Sequence, residues 1–107
     1  MGEDQRQQER KVLRTRALLR IDGIDQFLVK TLDISTAGVG VACPKQLQTG
    51  QTGKIAFEIF FNGRNYAVAS NTKVMYCIYN SNDGFKVGLQ FVNLDIPNAS
   101  VITKFMI

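Results

Sequence analysis

Along residues 55–61 apolar and polar side chains alternate, with Ile55, Phe57, Ile59 and Phe61 on one side and Glu58 on the other. Residues 85–91 repeat the pattern: Phe85, Val87, Leu89 and Phe91 oppose Lys86, Gly88 and Gln90. A period of two sends successive side chains to opposite faces of an extended strand. Further strands are predicted from about Ala17, and at 26–33, 38–43 and 72–79, the last with a mixed pattern. Asp22-Gly23 and Asn62-Gly63 each lie between apolar runs, and both dipeptides suit a two-residue type I′ hairpin. Residues 44–53, "PKQLQTGQTG", read as a loop. Pro97 opens a predicted helix with Val101, Ile102 and Phe105 facing inward. The chain stops on Phe105, Met106 and Ile107, an apolar ending that suggests a piece of a longer protein. Six or seven short strands with tight turns predict an all-β, mainly antiparallel barrel or sandwich, followed by a short C-terminal helix.

A length of 107 residues allows one domain and one core. Apolar residues make up 45% and charged residues 21%, which places the chain among ordinary globular proteins. No apolar run approaches the roughly 18 residues of a membrane span, and the start lacks the apolar core of a signal peptide. Cys43 and Cys77 sit in apolar, strand-like surroundings and are expected as buried, reduced thiols in a cytoplasmic protein. The net charge of +4 is uneven: residues 1–20 hold six basic side chains against three acidic ones. Residues 1–11 are polar and without periodicity, and are expected as a flexible basic arm ahead of a β domain over 12–107.

Much chemistry is excluded by what is missing. With no histidine, and the two cysteines 34 positions apart, neither a zinc site nor a histidine-dependent triad can be assembled. There is no Walker-type glycine loop. Asp22 and Asp25 are close, but they sit at a hairpin tip, where carboxylates serve turn geometry. No catalytic residue, metal site or cofactor is expected, and the chain does not read as an enzyme.

Two motifs remain. Arg10 and Arg14 form an RxxxR pair just before the first strand. Asp33, Ser35 and Gly38 form a DxSxxG motif between two later strands. Taken alone, Asp33, Ser35 and Gly38 suit a side-chain-closed turn with Gly38 at positive φ as readily as a ligand contact. Both motifs in this order, about twenty residues apart and followed by "FKVGLQFVNLD" at 85–95, resemble the PilZ domain. That family is a bacterial β-barrel module that binds cyclic di-GMP, and the resemblance runs from about Glu9 to Lys104.

The resemblance implies a PilZ-type barrel of six to seven strands and a ligand site at Arg10, Arg14, Asp33, Ser35 and Gly38. The residue types agree with it. Guanidinium groups pair with phosphate oxygens or with guanine O6 and N7, and can stack on a base. A carboxylate accepts from the guanine N1–H and N2–H₂ donors. Ser35 offers a short donor and acceptor, and Gly38 lets a ligand approach the backbone. Arg6–Arg10 and Arg16–Arg20 also match RxxxR, but Arg16 and Arg20 alternate with apolar residues and are expected on the exposed face of the first strand. Glu9 stands where many relatives carry another arginine, which leaves open one cyclic di-GMP or a stacked pair.

The implied function is a non-catalytic cyclic di-GMP sensor whose 1–14 segment orders on binding and signals to a fused domain or protein partner. Relatives act in motility, exopolysaccharide synthesis and biofilm formation. One alternative is a PilZ-like adaptor that binds protein and no nucleotide. Another is a small basic barrel for single-stranded nucleic acid, which would need surface aromatics, whereas most phenylalanines here fall on the core-facing alternation.

Overall fold

A computed structural model of the protein describes residues 9–107. The alternating segments become strands. They are β1 (Lys11–Val12), β2 (Arg16–Ile21), β3 (Phe27–Ile34), β4 (Gly38–Cys43), β5 (Thr52–Phe61), β6 (Arg64–Asn80) and β7 (Gly84–Val92). A helix, α1 (Ile96–Met106), follows them. All pairings are antiparallel, in the order β1-β3-β2-β5-β6-β7-β4, and a further β3–β4 pairing closes β2 to β7 into a six-stranded barrel. Closure gives each of these six strands a partner on both sides over part of its length. Inside it Leu19, Ile21, Ile34, Val39, Val41, Ile55, Ile59, Val74 and Val87 are at most 1% exposed, so the alternation sorted core from surface correctly. Ile102 of α1 is fully buried, with Val101 and Phe105 packed beside the core, as the pattern of the last segment predicts.

Local details differ from expectation in four places. Asn62 (φ 53°) and Gly63 (φ 75°) form the predicted two-residue turn, but Asp22-Gly23 does not. There only Gly23 has positive φ, and Ile24 N–H closes the turn on the Ile21 carbonyl at 2.9 Å, within a longer connection over 22–26. The cause is β5. Asp22 donates its N–H to the Thr52 carbonyl and accepts from the Thr52 hydroxyl at 2.6 Å, so β2 ends held by β5 rather than folded directly onto β3. The loop after β4 stops at residue 51, because Thr52 and Gly53 already pair with β6. The expected strand at 72–79 is the second half of one 17-residue strand, β6, that starts at the Asn62-Gly63 turn.

The expected arm also differs at its inner end. Lys11 and Val12 pair with Ile34 and Asp33 of β3, and Leu13 is buried. Thr31, itself fully buried, ties down the following bend: its hydroxyl donates to the Leu13 carbonyl at 2.6 Å and accepts from Thr15 N–H at 2.9 Å. Lys11 reaches α1, donating to the Phe105 carbonyl at 2.8 Å and lying 4.3 Å from the centre of its ring. The chain from Lys11 onward therefore belongs to the barrel. The rest of the expected arm, residues 1–8, lies outside the described residues.

Two bulges re-aim side chains on β3 and β6. On β3 the register shifts between Thr31 and Asp33; on β6 it shifts between Val74 and Tyr76. Each extra residue reverses the in-out phase of the strand beyond it. Val29 and Thr31 point inward before the first bulge and Ile34 after it, so Asp33 turns outward. Val68, Ser70, Thr72 and Val74 point inward before the second bulge, and Tyr76 turns outward after it. This is why the sequence of β6 looks mixed.

Candidate functional site

Arg10 lies across the end of β3. Its Nε and Nη2 both donate to Oδ1 of Asp33, at 2.9 and 2.7 Å, and its Nη1 reaches the Ser35 hydroxyl at 3.4 Å. Both charged side chains are partly open to solvent, 40% for Arg10 and 28% for Asp33. Among the described residues the two bonds fall on Oδ1 alone, which leaves Oδ2 available to accept from a ligand.

Ser35 is fully buried. Its hydroxyl accepts from Ala37 N–H at 3.1 Å and Gly38 N–H at 3.2 Å, while its own N–H bonds the Gly38 carbonyl at 2.9 Å. It closes the β3–β4 turn and braces Arg10 from beneath. Gly38 does not take positive φ. A Cβ there would collide with the Leu89 carbonyl oxygen, so the glycine is required by the close approach of β7. The serine and glycine thus build the turn, and Asp33 faces out of it.

Around this pair the outer face of the barrel is unusually low. Val39, Val41 and Cys43 take the inward positions of β4, leaving Gly38, Gly40 and Ala42 outward. The Asp33 carboxylate and the Arg10 guanidinium lie over Gly40, and separate clefts open beside Gly38 and beside Ala42. The cleft beside Gly38 measures about 200 Å³ and is lined by Arg10, Ala37, Gly38, Met75, Tyr76 and Gln90, among others. Across the sheet there, Asp33 pairs with Gly40, Gly40 with Gly88 and Gly88 with Tyr76. Asp33 leans inward along this row: a Cβ on Gly40 would lie 2.7 Å from its Oδ1.

Arg14 does not join Arg10. It lines a second cleft, of about 360 Å³, together with Arg16, Lys30, Leu32, Ala42 and Asp83. A neighbouring cleft of about 320 Å³ shares Arg16, Lys30, Ala42 and Asp83. Arg16 and Lys30 are register partners on β2 and β3, so the cleft beside Ala42 carries three basic side chains against one acidic. The two arginines of RxxxR therefore line two separate clefts. Arg20 pairs with Lys54 on the β2–β5 side of the barrel.

The sequence alone did not single out Tyr76, Gly40, Gly88 or Lys30, which lie in or beside these clefts, and it placed Arg16 on the exposed face of a strand. The mixed pattern at 72–79 was the one legible signal of the bulge that presents Tyr76. Cys43 is buried and Cys77 half-buried, both as free thiols. Burial pushes the Cys43 thiol up from its ordinary value, so at neutral pH it is an uncharged core residue. Among the described residues no group of histidine, cysteine or carboxylate side chains could hold a metal ion, and no helix is long and apolar enough to cross a membrane.

Comparison with known structures agrees with this architecture. An inhibitor of motility from Bacillus subtilis (MotI/DgrA) superposes with a TM-score of 0.79 at 12% identity, over 92% of this chain and 48% of its own. This chain thus spans about half the length of that protein. The PilZ domain of YcgR from Escherichia coli, solved with cyclic di-GMP, gives 0.67 at 12% identity, covering 92% of this chain and 86% of that one. The PilZ domain of CeSA from a cellulose-synthesizing bacterium gives 0.59 at 12% identity, covering 92% and 99%. A sequence comparison with curated proteins gives no match. The family model described as PilZ domain matches residues 4–107, nearly the whole chain, and this protein belongs to the PilZ domain family.

Proposed function

We propose that this domain is a cyclic di-GMP-binding regulatory module without catalytic activity of its own. The observation that carries the reading is the partly exposed Arg10–Asp33 pair, held outward over Gly40 in a chain of the PilZ family. A cyclic dinucleotide presents two guanines and two phosphates. Asp33 Oδ2 accepts from a guanine N1–H and N2–H₂, and Arg10 donates to a phosphate or to the same base. Arg14, Arg16 and Lys30, which line the separate cleft beside Ala42, add positive charge on the same side of the barrel wall as β3 and β4. The structural neighbour YcgR, described with cyclic di-GMP, supports this choice of ligand.

Signalling would pass through the segment before Lys11, which leads straight from the ligand-facing Arg10, to a fused domain or a protein partner in a bacterial cytoplasm. Ile78 (58% exposed) and Tyr79 (71%) at the end of β6 offer apolar surface for such a contact. A role in motility or exopolysaccharide control fits the neighbours' descriptions.

Titration calorimetry with cyclic di-GMP, and with GTP and GMP as controls, tests the reading and gives the stoichiometry. Saturable heat with cyclic di-GMP alone supports it. No heat, or equal heat from all three nucleotides, overturns it in favour of a protein-binding adaptor or a generic anion surface.

A further inference from the structure

β6 outruns β5. The last register pair between them at this end is Thr52 with Lys73. The loop before β5 adds one further rung at Val74, which donates to the Gln51 carbonyl and accepts from Gly50 N–H, both at 2.8 Å. On the other side β7 stays paired with β6 as far as Asn80. From Met75 to Asn80, therefore, the strand is paired on one side only among the described residues. The loop passes on the core side of this stretch: Leu47, buried, donates its N–H to Cys77 Sγ at 3.4 Å.

Open edges are normally guarded by lysine, by proline, by a bulge or by being very short. Residues 75–80 read Met-Tyr-Cys-Ile-Tyr-Asn, with no charge and no proline. The bulge precedes them, and from Tyr76 to Asn80 the register with β7 is regular. Six residues extend roughly 20 Å. Ile78 and Tyr79 are both exposed and point to opposite faces of the strand. The Tyr79 ring is steadied edge-on by Phe85 of β7, with 5.8 Å between ring centres. Such an edge is a template for one more strand.

Charge and symmetry indicate which strand. A net charge of +4 makes two copies of the chain repel, but residues 75–80 add no charge where they would meet. An antiparallel edge is also its own complement under a two-fold axis, each N–H and C=O meeting the C=O and N–H of the other copy. We propose that β6 pairs along 75–80 with β6 of a second copy of this chain, the axis lying near Ile78. The two Ile78 side chains then meet on one face, and on the other each Tyr79 covers Cys77 of the partner subunit. This names a protein partner for that end of β6 and does not depend on cyclic di-GMP. Six paired residues bury less than the ~1,200 Å² of a standard interface, so the dimer is reversible, with a Kd between about 1 μM and 1 mM.

Sedimentation equilibrium without ligand tests this across that range, under reducing conditions so that Cys77 cannot cross-link. Wild type should follow a monomer–dimer equilibrium. Ile78→Lys sets two like charges against each other at the axis and should weaken it at least about tenfold. Leu28→Lys adds the same charge at another exposed leucine, on β3, and should leave it nearly unchanged. Amide exchange supplies a signature that general apolar adhesion lacks. Every second amide from Tyr76 to Asn80 should slow as concentration rises, because alternate N–H groups point away from β7. A chain monomeric throughout overturns the proposal and leaves the edge to a different protein. Growth beyond a dimer, association that Ile78→Lys leaves intact, or dimers that protect none of these amides overturn it too. The cyclic di-GMP reading is untouched by any of these results.

Discussion

Asp33 and Tyr76 stand at the two ends of a single cross-strand row, Asp33–Gly40–Gly88–Tyr76, and each faces outward because a β-bulge lies just before it. Three strand spacings separate their backbones, roughly 14 Å. The carboxylate leans over Gly40 and the ring over Gly88, so a charged group and an aromatic one lie toward each other across the middle of the row.

Removal of the carboxylate should affect ligand and fold unequally. The Arg10–Asp33 pair is partly exposed, and such pairs contribute about 0.2–1 kcal/mol to stability. Asp33→Ala should therefore lower the melting temperature only slightly. It should weaken cyclic di-GMP by about 1.5–3 kcal/mol, the worth of hydrogen bonds to a charged group. Calorimetry beside thermal melts checks both. Normal binding by a strongly destabilised protein would make Asp33 a turn residue only.

The arginines should divide by the cleft they line rather than by motif. Arg10→Ala should cost roughly ten- to hundred-fold in affinity. Arg14→Ala and Arg16→Ala should resemble one another, because both side chains line the cleft around Ala42. Arg20→Ala, on the β2–β5 side, should stay below about 1 kcal/mol and fade with salt, since exposed charges are screened over ~10 Å at 0.1 M. Four equal losses that vanish together at high salt would leave a cationic surface without a site.

Two glycines of β4 should respond differently to a methyl group. A Cβ at Gly38 meets the backbone oxygen of Leu89, which cannot swing away, so Gly38→Ala should destabilise the barrel by about 1–3 kcal/mol. A Cβ at Gly40 meets the Asp33 carboxylate at 2.7 Å, and that side chain can move. Gly40→Ala should leave stability nearly unchanged and weaken the ligand. Denaturant melts with calorimetry distinguish the two, and equal stability losses would refute the assignment.

Lys11 joins the segment beside the site to the last helical turn. Its ammonium meets the Phe105 carbonyl and ring, and a cation there also complements the helix dipole. Lys11→Ala should lower stability by about 0.5–1 kcal/mol, the usual value of an exposed cation–π contact. It should also speed amide exchange in the last turn of α1 more than elsewhere. Unchanged exchange there would mean that the contact carries no coupling.

The start of α1 should report on pH. Asp95 caps the helix, accepting from Asn98 N–H at 3.0 Å and from the Asn98 side chain at 2.7 Å. These bonds, the backbone one first, hold its carboxyl below the ordinary value of 3.8. A lowered pKa in the folded state stabilises the protein above the ordinary value, and that contribution is lost as pH falls through the folded value. Wild type should melt above Asp95→Ala at neutral pH, with the gap closing below about pH 3.8. A gap constant down to pH 2 would remove the capping charge from this account.

How much of this was legible can be argued residue by residue. The alternation at 55–61 and 85–91 located core-facing strands, Asn62-Gly63 located a type I′ turn, and the spacing after Pro97 located a helix with Ile102 inward. RxxxR and DxSxxG led to Arg10 and Asp33, which do meet. These are properties of single segments, set by backbone sterics and side-chain period, so the sequence by itself determined them. It could not determine that Asp22-Gly23 would yield to β5, that Arg14 would stand with Arg16 and Lys30, or that Gly38 answers to Leu89. Nor could it place Asp33 and Tyr76 in one row. Each of those outcomes depends on which strands become neighbours and where a bulge resets their phase. Barrel closure decides that, because only there do groups far apart in the chain compete for the same hydrogen bonds and the same space.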